Sequence, residues 1–514
     1  MFTVDESLGK APIGAGWGKI LGAGESCPRD GLERAWRLIG WLAGVTVVFQ
    51  RMEPWAYEAV WAMGIAVAVQ RRAPLPRGLW GIAALAGLNV LGFFVSALLV
   101  ASYDWHAGLW AGVSLYLAVT ALLVALYVAE DPAGRLSVLT RALVLGGAVS
   151  TVVAVVGMAS SGQLREFLMN GSLASAFFVP RNSYKNLRGV ALFKDPNAYA
   201  AFMVLPVMVA LAWTTAARGL RRIGAAIVLA FLAFGLLLAT SRGAYVNLAV
   251  AVAAFGTLAA VFAPDGRARR REALALLFGC AVIAAATAAG VTFWDALRED
   301  VMGRAVANMP YDNGPFGRWQ GISMALGELG RPLGLGPLQF WKAYVAHSTP
   351  ERMTEYFAMY DRIGPWNAAV GEFWRTHPER TAADVADFWR LHASNPHDVY
   401  LDQFIAGGWL SGATYLALLL ATALGAWRVQ AARPSWARPH AALVAALAGA
   451  CVEGLIIDTE HWRHFFLLLG AAWGGWAAIG MSRSRLPIFK DSSTFRQEVP
   501  LPGAEEEVRA PLEA

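Results

Sequence analysis

The chain has 514 residues, of which 57% are hydrophobic and only 16% are charged, and its mean hydropathy is +0.45. Soluble proteins average about 25% charged residues, so this composition excludes an ordinary soluble protein. The net charge is +6, but the basic residues lie in short loops between apolar blocks. They form no basic helix and no aromatic–basic repeat, so no nucleic-acid partner is expected.

The apolar residues come in blocks of roughly twenty, the length of helix that crosses a bilayer core of about 30 Å. They predict an all-α polytopic membrane protein with about twelve transmembrane helices. In chain order these lie near residues 38–50, 54–69, 78–101, 107–128, 137–159, 198–217, 223–240, 243–263, 273–294, 399–427, 440–457 and 464–481.

Alternate short loops lie on the same side of a membrane, and here one set of loops is rich in arginine. The opposite short loops, "SYDWHAG", "TSRG" and "DTEHWRH", are poor in Lys and Arg, which predicts that both termini are cytoplasmic. In a bacterial inner membrane, the arginine-poor side is then periplasmic. The arginine-rich set contains Arg71, Arg72, Arg77, Arg135, Arg218, Arg221, Arg222, Arg267, Arg269, Arg270, Arg271, Arg428, Arg433 and Arg438.

The predicted organisation has five parts. A disordered cytoplasmic N-terminus covers residues 1–34, and helices one to nine cover 35–294. A long periplasmic loop, 295–397, contains helix-like stretches and is expected to be a small folded helical subdomain. Helices ten to twelve cover 398–482, and the tail, 483–514, reads as disordered. The first apolar block, from about Leu38, is expected to be an uncleaved anchor.

Arg242 is the first candidate site residue. It is the single charge between Ile223 and Phe262, forty residues that cross the core twice, so it lies at the turn between two helices. Serine and glycine flank it and suit a tight turn. Two interpretations stay open: an arginine that reaches the membrane interface, and an arginine that holds an anion.

A basic cluster precedes the sixth predicted span on the same side. Arg181, Lys185, Arg188 and Lys194 lead into Asp195-Pro196-Asn197, which reads as a helix start. Lys194 and Asn197 would then lie at a helix N-terminus, a favourable place for an anion. The alternative is an ordinary basic loop at lipid headgroups.

His397 stands where a helix enters the membrane, with Asp398 beside it. An imidazole at the wet end of a helix suits a general base. The alternative is a structural histidine that caps the helix.

In "DTEHWRHFF", Asp458, His461 and His464 share a helical spacing that a metal site also uses. Arg463 lies among these candidate ligands and argues against a metal, so an anion-facing or structural turn is the interpretation here. The isolated cysteines, Cys27, Cys280 and Cys451, predict neither a disulfide framework nor a zinc site. Glu453, inside the eleventh predicted span, is expected to face the bundle interior.

Four stretches, in this order, resemble the O-antigen ligases and O-antigen polymerases, integral membrane enzymes with a Wzy-type C-terminal domain. They are "RGVALFKDPNAYAA", "TSRGAY", "GRWQGISMALGELGRPLGLGPLQF" and "HDVYLDQFIAGGWLSG". The resemblance runs from about Arg188 to the end of the last predicted span. The sequence departs from the family pattern at Asp398, where asparagine is usual.

The resemblance implies a C-type glycosyltransferase at the periplasmic face, with a glycan on undecaprenyl pyrophosphate as donor and no metal, nucleotide sugar or other cofactor. By motif, Arg188 and Arg242 would hold the pyrophosphate, with Lys194 and Asn197 nearby, and His397 would serve the acceptor. Arg318, Asp398, His461 and Arg463 are auxiliary candidates.

Alternatives remain for both the acceptor and the class of protein. A ligase presents a lipid A-core, a polymerase a second lipid-linked glycan, and a protein O-oligosaccharyltransferase a protein hydroxyl, and the sequence does not choose among them. From another class, a secondary transporter or lipid flippase also fits twelve spans, with Glu453 as its intramembrane ionisable residue. A third alternative is a non-catalytic scaffold of an assembly complex.

Overall fold

The computed structural model describes residues 28–49, 56–101, 104–159, 191–193, 196–293, 313–347, 396–457 and 462–485. These residues fold entirely into helices and connecting turns. The helices are α1 (Pro28–Thr46), α2 (Ala56–Gln70), α3 (Arg77–Leu99), α4 (Trp105–Glu130), α5 (Pro132–Ala159), α6 (Pro196–Ala216), α7 (Leu220–Leu238), α8 (Arg242–Val261), α9 (Gly266–Phe293), α10 (Asn313–Glu328), α11 (Trp341–His347), α12 (Val399–Ala432), α13 (Ala437–Glu453) and α14 (Arg463–Arg485).

Nine of the described helices are long and apolar enough to cross a membrane: α3 to α9, α12 and α14. The all-α, multi-pass membrane character predicted from composition is thereby confirmed. The other three predicted spans coincide with α1, α2 and α13, which have 19, 15 and 17 residues. The count of twelve stays a prediction.

The helices alternate in direction, so their ends gather at two opposite ends of the bundle. At one of them, here called the basic end, Arg135 of α5 pairs with Glu33 of α1 at 2.7 Å and with Glu130 of α4 at 3.1 Å. Arg71 of α2 pairs with the same two carboxylates. The opposite end, here called the site end, contains the first residues of α6, α8, α12 and α14.

α1 begins earlier than the sequence predicted. Disorder was expected through residue 34, whereas the helix starts at Pro28, a residue well suited to a first helical position. Glu33 lies in the second turn and binds Arg37, Arg71 and Arg135. These ion pairs anchor a stretch whose sequence alone reads as polar.

Close helix packing is achieved through small residues. α6 lies at the centre of the bundle, with 94% of its apolar stretch buried. α4 and α14 approach each other at Gly470 and Gly474, where an added Cβ would lie 2.4 Å from the Ala121 carbonyl oxygen and 2.6 Å from that of Ala125. Small residues four apart permit such backbone contact between membrane helices.

α12 was predicted as one continuous span, but it breaks at Gly408, which has φ 71°. The Trp409 N–H donates to the Pro332 carbonyl at 2.9 Å, and the Leu335 N–H donates to the Ile405 carbonyl at 2.6 Å. The loop between α10 and α11 thus replaces the helical hydrogen bond that Trp409 and Ile405 would share in an unbroken helix.

Candidate functional site

Arg242 is the first residue of α8, at the turn predicted from the sequence. α7 ends at Leu238, and Ser241 is the N-cap residue of α8. The Ser241 hydroxyl caps no backbone N–H of the helix and instead donates to the Asn197 side-chain oxygen at 3.1 Å. The Arg242 side chain is exposed, whereas Ser241 and Gly243 on either side are buried.

This position suits an anion on physical grounds. A helix N-terminus carries partial positive charge and unpaired N–H groups, so a cation there is unfavourable unless negative charge is near. An anion bound at the first turn of α8 would interact favourably with the helix dipole, although the buried Glu453 carboxylate already lies next to this turn. The anion-holding role of Arg242 therefore stays a prediction.

The start of α6 lies beside this turn. The helix begins at Pro196, as the Asp-Pro-Asn signal predicted, and Asn197 is its second residue. Phe193 is buried against Tyr199 and Phe202, with ring centroids 5.6 and 5.2 Å apart, which holds the entry into α6 in place. Arg188 and Lys194 lie outside the described residues.

Glu453 is completely buried at the last residue of α13. The sequence placed it inside a span, but the helix ends there, so the carboxylate belongs to the site end. The Asn247 side-chain amide donates to it at 2.6 Å. A Cβ added at Gly243 would lie 3.1 Å from the other carboxylate oxygen, so the first turn of α8 packs directly against Glu453.

Asn247 is not among the site residues that the sequence predicts. It lies four residues after Gly243, on the same face of α8, and a polar amide in an apolar span is a signal that could have found it. α8 and α13 meet closely here because Gly449 has no side chain: an added Cβ would lie 2.1 Å from the Asn247 side-chain oxygen. The pair thus depends on a glycine in the partner helix.

The segment that carries His397 is fixed to the same corner of α13. The Val399 N–H donates to the Gly454 carbonyl at 2.8 Å, and the Tyr400 hydroxyl donates to the Cys451 carbonyl at 2.6 Å. His397 itself is exposed and has φ 57°. A left-handed backbone at a residue other than glycine costs of order 1 kcal/mol and is held only where the surroundings impose it.

Asp398, not His397, caps α12. Its carboxylate accepts hydrogen bonds from the N–H groups of Tyr400 and Leu401, at 2.9 and 3.0 Å. The alternative in which His397 is the capping residue is therefore wrong. Burial raises the pKa of Asp398 above its ordinary value of 3.8, although these two hydrogen bonds oppose the shift.

α10 packs against the same segment. A Cβ added at Gly321 would lie 3.2 Å from the Pro396 carbonyl oxygen, directly before His397. Arg318 belongs to α10, one turn before Gly321, but its side chain lies outside the described residues. One of the helix-like stretches predicted within 295–397 therefore corresponds to a helix, and this helix borders the candidate site.

Arg463, the fourth auxiliary candidate, is engaged elsewhere. It is buried at the first residue of α14, and its guanidinium forms an ion pair with Glu58 of α2, with an Nε–O distance of 2.6 Å. Its charge therefore ties two helices together. His464 is buried between the Phe202 and Trp462 rings, and Asp458 and His461 lie outside the described residues.

A metal centre receives no support from the part of the chain that the structure describes, which holds no group of three His, Cys, Asp or Glu side chains suited to an ion. The polar cluster deeper in the bundle is of another kind. Asn89 of α3 donates to the side-chain oxygens of Gln403 and Ser411, both at 2.8 Å. Because these two residues flank the break at Gly408, the cluster holds the two halves of α12 on α3.

The candidate site is thus a corner built around Glu453 and Gly454. The first turn of α8, headed by Arg242, packs on Glu453, and the segment of His397 and Asp398 is hydrogen-bonded to Gly454. Asn197 at the start of α6 is connected to this corner by the hydrogen bond from Ser241. An exposed guanidinium and an exposed imidazole therefore flank one helix end, next to α10. Compared with models of known protein families and with curated proteins, the chain gives no match.

Proposed function

We propose that the protein is a membrane glycosyltransferase that moves a glycan from undecaprenyl pyrophosphate to an acceptor hydroxyl. One observation carries this proposal: two motifs far apart in the chain, "TSRGAY" and "HDVYLDQF", pack on consecutive residues of one helix end. Gly243 contacts Glu453, and Val399 is hydrogen-bonded to Gly454. A cation and a base are what transfer from a diphosphate requires.

In this mechanism Arg242 binds the pyrophosphate and stabilises the charge that builds up as the glycosidic C–O bond breaks. Arg188 supplies the second guanidinium. His397 takes the proton of the acceptor hydroxyl while that oxygen attacks the sugar carbon from the face opposite the leaving group. The configuration at the carbon is inverted, and the pyrophosphate leaves on its lipid without a metal.

The membrane arrangement completes the proposal. α1, α2 and α13 are taken as crossings, which gives twelve spans, and the basic end is taken as cytoplasmic in a bacterial inner membrane. The site end is then periplasmic, where α10 and the rest of 295–397 border the reaction and admit the acceptor. The acceptor is a lipid A-core in a ligase, a lipid-linked glycan in a polymerase, or a protein hydroxyl.

A transporter or flippase is the rival class, and two observations bear on it. A broken helix and a buried carboxylate are features of transporters. However, the break at Gly408 is filled by residues 332–335, and Glu453 lies at a helix end, bound by Asn247. Both features are thus engaged by the protein's own residues, which favours the transferase over a transporter.

The test uses Arg242→Ala and His397→Ala in the full chain, expressed at matched levels in membranes. Surface glycan is examined by gel and blot, and both variants are expected to lose polysaccharide length or attachment. Arg77→Ala, at the basic end, and His106→Ala, exposed at the site end, are the matched controls and should retain it. Unchanged glycan in both site variants would defeat the proposal.

The acceptor is distinguished by the deletion phenotype. Long unattached chains on the carrier lipid indicate a ligase, and single repeats on the carrier indicate a polymerase. Loss of glycan from a protein, with lipid-linked chains intact, indicates protein glycosylation.

A further inference from the structure

Four of the six residues that line a pocket at the basic end are arginines. The pocket has a volume of about 370 Å³ and lies where α7 and α9 begin, on the opposite side of the bundle from the candidate site. Its lining residues are Arg222, Arg267, Arg270, Arg271, Leu274 and Ala275.

The acidic groups next to this pocket are already engaged. Asp265 accepts a hydrogen bond from the Ala268 N–H at 2.7 Å and so caps the start of α9. Glu272 binds Arg438 of α13 and lies 3.8 Å from Arg271. Four guanidiniums thus line the pocket, and the two nearby carboxylates, Asp265 and Glu272, leave its net charge positive.

The pocket also lies at the boundary between polar and apolar surface. Beyond the arginines, α7 and α9 both present exposed apolar side chains. Ile223, Ile227, Leu274, Leu277 and Phe278 are 43–65% exposed. In a membrane-spanning bundle such a surface faces lipid chains. A ligand that carries an anionic head and apolar chains matches both parts, whereas a free anion would match only the arginines.

We propose that this pocket binds the phosphate headgroup of an anionic phospholipid, with its acyl chains lying along the apolar faces of α7 and α9. Guanidinium groups bind phosphate oxygens bidentately, and basic pockets between membrane helices recognise anionic headgroups. The proposal is independent of the glycosyl transfer at the site end, because it uses other residues at the other end of the bundle.

The full chain in an uncharged detergent is titrated with phosphatidylglycerol or phosphatidylcholine, and the lipid adducts are counted by native mass spectrometry. Phosphatidylglycerol should bind the wild type more tightly than phosphatidylcholine does. The double variant Arg267→Gln/Arg270→Gln should bind phosphatidylglycerol about thirtyfold more weakly. Each basic residue near a headgroup contributes about 1 kcal/mol to binding, and about 1.4 kcal/mol corresponds to a tenfold change in affinity.

The control pair Arg34→Gln/Arg77→Gln removes the same charge from exposed positions on α1 and α3, helices that do not pack closely on α7 or α9. It should leave the affinity within about twofold, since screening limits the reach of distant charges. Equal loss in both pairs would overturn the proposal, because the attraction would then be general. Inorganic phosphate that displaces the lipid at equal concentration would also overturn it and would assign the pocket to free phosphate.

A second measurement needs no variant. Arginine-specific labelling of the wild type with phenylglyoxal, mapped by peptide mass spectrometry, should be blocked by phosphatidylglycerol at Arg267 and Arg270 and not at Arg34 or Arg77. Labelling of Arg267 and Arg270 that is unaffected by the lipid would contradict the proposed site.

Discussion

The side-chain amide of Asn247 donates a 2.6 Å hydrogen bond to the carboxylate of Glu453, across the contact between α8 and α13. Both groups are buried, and the residues lie 206 positions apart in the chain. The bond holds the first turn of α8, and with it Arg242, against the end of α13. This end also binds the segment of His397 through Gly454.

The strength of this link is measured by a double-mutant cycle of Asn247→Ala and Glu453→Ala. Interhelical hydrogen bonds in membranes contribute about 1 kcal/mol. The sum of the losses in unfolding free energy in the two single variants should therefore exceed the loss in the double variant by about that amount. Unfolding in mixed detergent micelles measures it. As a control, the losses caused by Asn247→Ala and by Glu272→Ala, a residue at the basic end, should be additive. Additive losses for Asn247→Ala and Glu453→Ala would contradict the link.

Replacement of Asp398 separates capping from charge. Asp398→Ala removes the acceptor of two backbone N–H groups and should lower the free energy of unfolding by about 1 kcal/mol. Asp398→Asn keeps the cap, because asparagine is an equally good N-cap residue. If the alanine variant unfolds as the wild type does, Asp398 does not hold the start of α12.

The same pair predicts a pH dependence. Burial raises the pKa of Asp398 in the folded state, so the folded protein binds the proton more tightly than the unfolded chain does. The stability contributed by this group is fully present below the ordinary pKa of 3.8 and is lost as the pH rises through the folded-state pKa. The Asp398→Asn variant should therefore gain stability relative to the wild type as the pH rises through that window. A difference in unfolding temperature between the variant and the wild type that does not change with pH would contradict this prediction.

Two glycines should be essential for docking the loop between α10 and α11 into α12. Gly408 and Gly334 have φ 71° and 70°, and an added Cβ would lie 2.4 Å from the Pro332 carbonyl oxygen and 2.3 Å from that of Ile405. Either Gly→Ala change should therefore cost at least about 1–3 kcal/mol through strain and expose the amides of residues 333–335 to hydrogen exchange. Gly330→Ala, with open space around its Cβ, is the control and should exchange as the wild type does. Wild-type exchange in Gly408→Ala would contradict the docking.

The sequence predicts the elements of this site better than it predicts their contacts. A lone charge in forty apolar residues locates the turn at Arg242, and Asp-Pro-Asn locates the start of α6, because both signals are local. The preference of N-cap positions for aspartate is also a local signal, and it could have identified Asp398 as the cap, where the prediction offered His397.

What the sequence does not predict depends on packing between distant segments. The bond between Asn247 and Glu453 requires the close approach that Gly449 permits, and hydropathy does not distinguish the helix end at Glu453 from a continuing span. "IAGGWLSG" contains several glycines, and only the carbonyls of the docked loop decide that Gly408 is the one that breaks α12. The partner of Arg463 is likewise fixed by the tertiary fold.

That last pair gives a prediction that separates a structural arginine from a substrate-binding one. Arg463 is buried at the start of α14, and Glu58 neutralises it. Arg463→Met alone leaves the Glu58 carboxylate buried without its cation and should cost about 3–5 kcal/mol, whereas Arg463→Met/Glu58→Leu removes both charges and should be nearly as stable as the wild type. Thermal unfolding in detergent measures the stability, and glycan transfer by the same membranes measures function. If the double variant is stable and transfers glycan, Arg463 is structural. A stable double variant without transfer would instead place Arg463 among the donor-binding residues.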